Sequence, residues 1–455
     1  MIKYHLWLTH GGDQMPGKII GEYYKDFAFP VPEAVDVDNF AIATYYVRLP
    51  RDWNVVSHAL YMSAEQTVGT WTPVPEITEE MLNKYFGRII QITEIPAYDS
   101  YIPPEIKERD YIIQIAYPVT HFKGHIAQLI SVAMGNILHS GKTKLVDLWL
   151  PKTFLEDFKG PKFGVDGIRE YWKVYDRPIL LNMIKPCTGI KPDVIARLFY
   201  EAARGGVDVI KDDELMMNPS YAQVEERVTK CMEAADKAEE ETGEKTIYTV
   251  NITSDATEIF ELADRAIANG VNGLMVNVYT TGFGVLRKLA EDPSINVPIL
   301  AHPCFKGALY MSPYHGVSYH VLVKLIRVAG GDMTLFASLY GKFPQLVGPY
   351  SRCFSSALSP LYNFRRTFPG SGGGIHPGQV PRMIKDIGVD ILIPAGGGVH
   401  GHPDGSEAGA RALRQAIDAT LKGIPLAEYA KDHPELKRAI EYWGGEAKVK
   451  QIKPL

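Results

Sequence analysis

Lys211-Asp212-Asp213-Glu214 sets one amine beside three carboxylates within four residues. If this run ends a strand, alternation puts Lys211 and Asp213 on one side and turns Asp212 to the other. Asp213 and Glu214 then offer the hard oxygen donors that magnesium takes. A lysine ammonium would compete with such a cation. Carbamylated by carbon dioxide, the same lysine becomes an anionic oxygen donor. The rival reading is a salt-bridged strand end without metal. Lys185 is a second candidate, as the acid or base that moves a proton. A lysine base must be neutral near pH 7, so burial and neighbouring cations would have to lower its pKa. The triplets Gly372-Gly373-Gly374 and Gly396-Gly397-Gly398 could present backbone N–H groups to a phosphate, because no side chain keeps the anion away. Among His302, His376, His400 and His402 only the last two are closely spaced. Zinc is therefore not expected.

Such residues need a scaffold that gathers strand ends. From about residue 160, short apolar runs alternate with amphipathic stretches of helical period. Strands are expected at 178–185, 207–213, 246–253, 273–279, 298–303, 334–338 and 390–395, with a weaker one at 367–375. Eight strands, each followed by a helix, predict a (β/α)8 TIM barrel over residues 153–425, with an open doubly wound sheet as the rival. A barrel places functional residues at the C-terminal ends of its strands. Lys185, Lys211, Asp213, Glu214, Asn251, Asn277, His302 and both triplets fall there. Residues 39–152 mix four strands with helices at 55–66 and 125–136, which predicts a small α+β domain of ferredoxin-like type. Residues 1–38 read as an N-terminal arm, and 426–455 as a C-terminal helical extension.

The chain has 455 residues and a formal net charge of −5, with its basic residues scattered, so no nucleic-acid partner is expected. No run of 18 apolar residues predicts a membrane span. The N-terminus lacks the apolar segment of a secretory signal. Four widely spaced cysteines fit a reducing cytoplasm.

The segment from Gly205 to Glu214, Gly-Gly-Val-Asp-Val-Ile-Lys-Asp-Asp-Glu, resembles the most specific motif of the RuBisCO large-subunit superfamily. Met183-Ile184-Lys185-Pro186 resembles the segment holding the lysine that handles the proton beside the substrate carbonyl. Thr67-Val68-Gly69-Thr70-Trp71-Thr72 resembles the phosphate-contacting segment of the small domain, and Gly135-Asn136 its asparagine site. His302 matches a strand-five histidine, and Gly341-Lys342 the lysine of the sixth loop. The resemblance runs from about residue 40 to 440. It implies Mg2+ held by carbamylated Lys211, Asp213 and Glu214, with Lys185, Lys342, Asn136 and His302 as catalytic residues. It also implies a phosphate held by Thr70, Trp71, Gly373, Gly374, Gly397 and Gly398. Thr70, Trp71 and Asn136 match residues that reach a neighbouring subunit's barrel, so a homodimer or an assembly of dimers with shared sites is expected.

The departures narrow the function. The arginine that grips the second phosphate of ribulose bisphosphate is replaced by Pro303, and a strand-six histidine by Leu335. Lys306 replaces a histidine, Gly372 a serine (with Ser371 adjacent), and Cys187 a lysine. A second phosphate would lack charge-assisted partners, so the substrate is expected to carry one phosphate. Gly160–Val165, Ala301-His302-Pro303, Gly374–Gly378 and Gly396–Pro403 look closer to the 2,3-diketo-5-methylthiopentyl-1-phosphate enolases of methionine salvage. Those enolases, however, use a lysine base where Asn136 stands, and lack a lysine at Lys342. The combination points to a magnesium-dependent lyase acting on a monophosphorylated keto sugar or keto sugar acid, by decarboxylation or carbon–carbon cleavage. The alternatives are the salvage enolase or an isomerase of a methylthio-ketose phosphate, and a non-catalytic regulatory relative, which would carry a damaged metal motif.

Overall fold

The first strand of the N-terminal unit, β1 (Phe40–Pro50), alternates along its length: Ala41, Ala43, Tyr45, Val47 and Leu49 are buried, and the residues between them are less so. That is the pattern of a sheet with one face on a core. β1 pairs antiparallel with β3 (Glu108–Pro118) and β4 (Lys142–Trp149), and β3 pairs with β2 (Arg88–Glu94). Helices Val55–Glu65 and Ile126–Met134 bury apolar faces in the same unit. The computed structural model describes residues 27, 28, 33, 35–70, 72, 74–255, 257–343 and 345–446. The expected arm over 1–38 lies almost wholly outside these residues, as does Trp71.

The second unit is a closed barrel of eight parallel strands. They are β5 (Ile179–Met183), β6 (Val209–Lys211), β7 (Ile247–Asn251), β8 (Gly273–Asn277), β9 (Ile299–His302), β11 (Met333–Ala337), β12 (Phe368–Gly372) and β13 (Leu392–Ala395). β13 pairs with β5 through four consecutive residues, which closes the ring and removes the open-sheet rival. The weakest expected strand is present as β12, shorter than the run 367–375. The barrel is filled by side chains, among them Ile179, Leu181, Val209, Ile247, Met275, Leu300, Met333, Leu335, Phe368 and Leu392, as a packed core requires.

Acidic residues close the N-terminal end of the barrel. Asp332 accepts from the N–H groups of Phe163, Gly164 and Ile299 at 2.6, 2.9 and 2.9 Å. Asp208 accepts from Leu180 N at 2.8 Å and pairs with both guanidinium nitrogens of Arg177.

One segment differs from expectation. The alternation of strand and helix in the sequence predicts one helix over residues 315–329, after the strand at 298–303. Instead, β10 (Gly316–Val317) pairs parallel with β4, and the helix begins at Tyr319. Residues 305–322 group with the N-terminal unit, although they lie between two barrel strands in the chain. Among the described residues, no helix is long and apolar enough to cross a membrane.

Candidate active site

β6 carries buried Val209 and Ile210 into Lys211, whose side chain is fully buried. Its Nζ donates to the Asp212 carbonyl at 2.8 Å and to Glu214 Oε2 at 3.2 Å. Asp212 turns away from this group, as strand alternation requires. It accepts from the Tyr248 hydroxyl at 2.8 Å, Asn251 N at 2.9 Å and Arg227 Nη2 at 3.2 Å. Asp213 is 2% exposed, accepts from Leu215 N at 3.1 Å, and pairs through Oδ2 with Lys185 Nζ. Lys185 also donates to Cys187 Sγ at 2.9 Å. His302 Nε2, at the end of β9, stands 3.5 Å from Glu214 Oε2. The structure thus brings Lys185, Lys211, Asp213, Glu214 and His302 into one cluster at the C-terminal ends of β5, β6 and β9.

Two asparagines hold the main chain of this cluster. Asn251 Nδ2 donates to the Asp213 and Glu214 carbonyls, each at 3.3 Å, and Asn277 Nδ2 donates to the Glu214 carbonyl at 2.9 Å. Asn251 Oδ1 accepts from Thr253 N and Oγ1, and Thr253 Oγ1 accepts from Asn277 N. The sequence places both asparagines at strand ends but carries no sign that they aim at Glu214.

The charges are strongly coupled. Burial works to raise the Glu214 pKa, but Lys211 and then His302 outweigh it and bring it down to about 2. At Lys185, burial works to lower the pKa, but the hydrogen bonds to Asp213 and Cys187 prevail and hold it above the usual lysine range. With Asp213 facing it, Lys185 is an ammonium.

The glycine loops lie beyond β12 and β13. Gly373 and Gly374 have φ of +96° and +82°, which side-chain-bearing residues rarely adopt. Lys342 N donates to the Gly373 carbonyl at 2.8 Å, so the candidate lysine of the sixth loop sits against the strand-seven glycines. A Cβ on Gly398 would fall 2.2 Å from the Ile375 carbonyl oxygen, so the two glycine loops touch backbone to backbone. Gly397 and Gly398 open a short helical turn, where N–H groups have no intrahelical partner. A Cβ on Gly396 would meet Lys185 Cε at 3.3 Å, which ties this loop to the cluster. Among the described residues, no hydrogen bond or ion pair joins Lys342 to Lys185, Asp213 or Glu214.

Other expected residues lie elsewhere. Thr70 and exposed Asn136 belong to the N-terminal unit, where Asn136 Nδ2 donates to Glu65 Oε1 at 3.5 Å. Glu65, not singled out from the sequence, therefore joins the candidate residues of that unit. Lys306 is also in that unit, over the Tyr319 ring at 5.0 Å. Ser371 meets the Tyr350 hydroxyl at 2.6 Å, so it does not replace the serine lost at Gly372. Leu335 fills the barrel core. His400 bonds Asn182 and Ser406, and His402 bonds the Glu435 carbonyl. Among the described residues, no three His, Cys, Asp or Glu side chains converge as a metal site.

Lys211 is the neighbouring residue that could add a third protein donor to Asp213 and Glu214 if a magnesium ion were held there. The chemistry fits. The ammonium already lies against Glu214 and the Asp212 carbonyl, so a carbamate there would present oxygen beside the Glu214 carboxylate.

An α+β domain followed in the chain by a closed (β/α)8 barrel, with a lysine–carboxylate cluster at its strand ends and paired glycine loops, defines a class of barrel proteins. The family description "Ribulose bisphosphate carboxylase large chain, N-terminal domain" matches residues 33–154, and that of the catalytic domain matches residues 164–443. The chain belongs to the RuBisCO large-chain superfamily, as a RuBisCO-like protein. It is 45% identical over 428 residues to a ribulose bisphosphate carboxylase-like protein of Archaeoglobus fulgidus, covering 92% of this chain and 98% of the relative. It is 39% identical over 412 residues to a 2,3-diketo-5-methylthiopentyl-1-phosphate enolase of Geobacillus thermodenitrificans, covering 89% and 98%. It resembles the crystal structure of octameric ribulose-1,5-bisphosphate carboxylase/oxygenase from Pyrococcus horikoshii, with TM-score 0.85, 33% identity, and coverage of 92% and 97%.

Proposed function

We propose that this protein is a magnesium-dependent enzyme that forms the enolate of a monophosphorylated keto sugar or keto sugar acid. The observation that carries the proposal is the convergence of Lys185, Lys211, Asp213 and Glu214 at neighbouring strand ends. Lys211, as a carbamate formed from CO2, would hold Mg2+ with Asp213 and Glu214. When bound, the cation supplies positive charge that stabilises an enolate. Asp213 cannot fully serve both Lys185 and a cation. If a cation engaged Asp213, Lys185 would keep the pKa-lowering effect of burial with less of its anion, which would suit it to move a proton. His302 beside Glu214 orients the substrate. The N–H groups of Gly373, Gly374, Gly397 and Gly398 hold the single phosphate, with Thr70 and Trp71 supplied by a neighbouring subunit.

The reaction we favour is loss of CO2 or carbon–carbon cleavage, with Lys342 holding the substrate carboxylate. The loss of cations at Pro303 and Leu335 argues against ribulose bisphosphate carboxylation. A second reading, the methylthiopentyl-phosphate enolase, is favoured by the 39% identity to that enzyme and disfavoured by Asn136. The two separate in one experiment. The protein is incubated in deuterated water with magnesium, bicarbonate and a panel of monophosphorylated keto sugars and keto acids. Released CO2 or a cleaved carbon skeleton supports the lyase, and deuterium uptake alone supports the enolase or isomerase. Neither outcome across the panel, in a protein that binds no divalent cation, sinks the enolate proposal.

The working unit is a homodimer or an assembly of dimers with shared sites, a reading supported by the octameric relative. A reducing cytoplasm suits its four free cysteines. Mixing Asn136→Ala with Lys185→Ala protein is expected to restore up to about a quarter of the activity through hybrid dimers that keep one intact site. No recovery after subunit exchange would count against shared sites.

A further inference from the structure

The C-terminal helix Pro434–Trp443 ends against both glycine loops at once. The Trp443 indole stacks on His376, with centroids 6.1 Å apart and planes at 28°. It meets His402 edge-on at 5.9 Å, and a Cβ on Gly401 would lie 3.8 Å from its ring. His376 follows the strand-seven triplet by two residues, and Gly401-His402 follows the strand-eight triplet by three. Just beyond the helix, the Gly444 and Gly445 carbonyls press on Gly378, where a Cβ would fall 2.7 and 2.1 Å from them. At the start of the helix, His402 Nε2 bonds the Glu435 carbonyl at 3.1 Å, and Gln415 bonds both Glu435 Oε2 and Leu436 N.

We infer that Trp443 is a positioning residue for the phosphate subsite, setting the spacing between the two loops whose N–H groups form it. The inference rests on the phosphate reading above. At Gly398 and Ile375 the loops meet backbone to backbone, a contact in which Gly398 has no side chain to fix the separation. A rigid indole wedged against a histidine from each loop supplies that fixed distance. N–H donors bind an anion well only when they converge at hydrogen-bond length. A shift of either loop therefore weakens binding without touching the lysine–carboxylate cluster.

The test uses inorganic phosphate as probe and the full chain, with binding followed by calorimetry. Trp443→Ala is expected to bind phosphate roughly ten- to a hundredfold more weakly than the unaltered protein. Trp443→Phe, which keeps an aromatic wedge, should recover most of the affinity. Mn2+ binding, followed by electron paramagnetic resonance, should be unchanged in both, which a general loss of structure would not permit. Should Trp443→Ala not fold, Trp443→Leu carries the comparison, because it fills the space without a ring face. Phosphate affinity equal to that of the unaltered protein in the alanine or leucine variant overturns the inference and leaves the glycine subsite standing. Absence of phosphate binding in the unaltered protein overturns both.

Discussion

Asp212→Ala is expected to lower the unfolding free energy by about 3–5 kcal/mol, the range for breaking a buried ion pair by removing one partner. Asp212 and Arg227 are 1% and 0% exposed, so water cannot replace the lost carboxylate. Arg227 would keep the Ala222 and Met217 carbonyls, but no anion. The Tyr248 hydroxyl and Asn251 N would lose their acceptor as well. The change should also damage the neighbouring site, because Asp212 anchors the backbone from which Lys211 and Asp213 project the other way. Urea unfolding measures the first effect, and Mn2+ affinity in protein that remains folded measures the second. A loss below about 1 kcal/mol would show that Arg227 finds another partner. Asp212→Asn should be milder, since its amide keeps an acceptor for Tyr248.

Lys211→Met should abolish the bicarbonate-dependent part of divalent-cation binding. In the unaltered protein, Mn2+ affinity should rise with bicarbonate, as the lysine is converted to an anionic ligand. With labelled bicarbonate, a carbamate carbon resonance should appear. Methionine retains the length and burial of the side chain but cannot be carbamylated, and two carboxylates alone make a poor magnesium site. A loss of roughly a hundredfold or more in cation affinity is expected. Any magnesium-dependent turnover should fall by roughly a thousandfold, since several kcal/mol of charge stabilisation would go with the cation. Unchanged, bicarbonate-dependent Mn2+ binding in Lys211→Met would remove Lys211 from the ligand set and return the cluster to a salt-bridged strand end.

The barrel was legible because each strand is a short apolar run followed by a helical period, and that signal is local. β10 was not. Its two residues carry no pattern of their own, and pairing with β4 is decided by a neighbour about 170 residues away in sequence. The same division runs through the site. Alternation along β6 separates Asp212 from Lys211 and Asp213 on paper as it does in space. The pairing of Lys185 with Asp213 and Cys187 was not legible, because Asp213 follows a different strand and nothing along the chain shows that the two meet. The bonds from Asn251 and Asn277 to Glu214, and the meeting of Trp443 with two histidines, depend on how strands and the last helix assemble. No spacing along the chain announces them.

The placement of residues 305–322 with the N-terminal unit bears on how such a protein can be cut and rejoined. The small domain is written in two places, and the second is enclosed within the barrel's own text. A break after residue 158 yields no clean pair of modules: β4 stays on one fragment, and its strand neighbour β10 goes with the other. Transplanting either domain between relatives as a single cassette separates those strands. Only an exchange that carries both passages together keeps β10 paired with β4, so the N-terminal unit of this chain moves as two pieces rather than one.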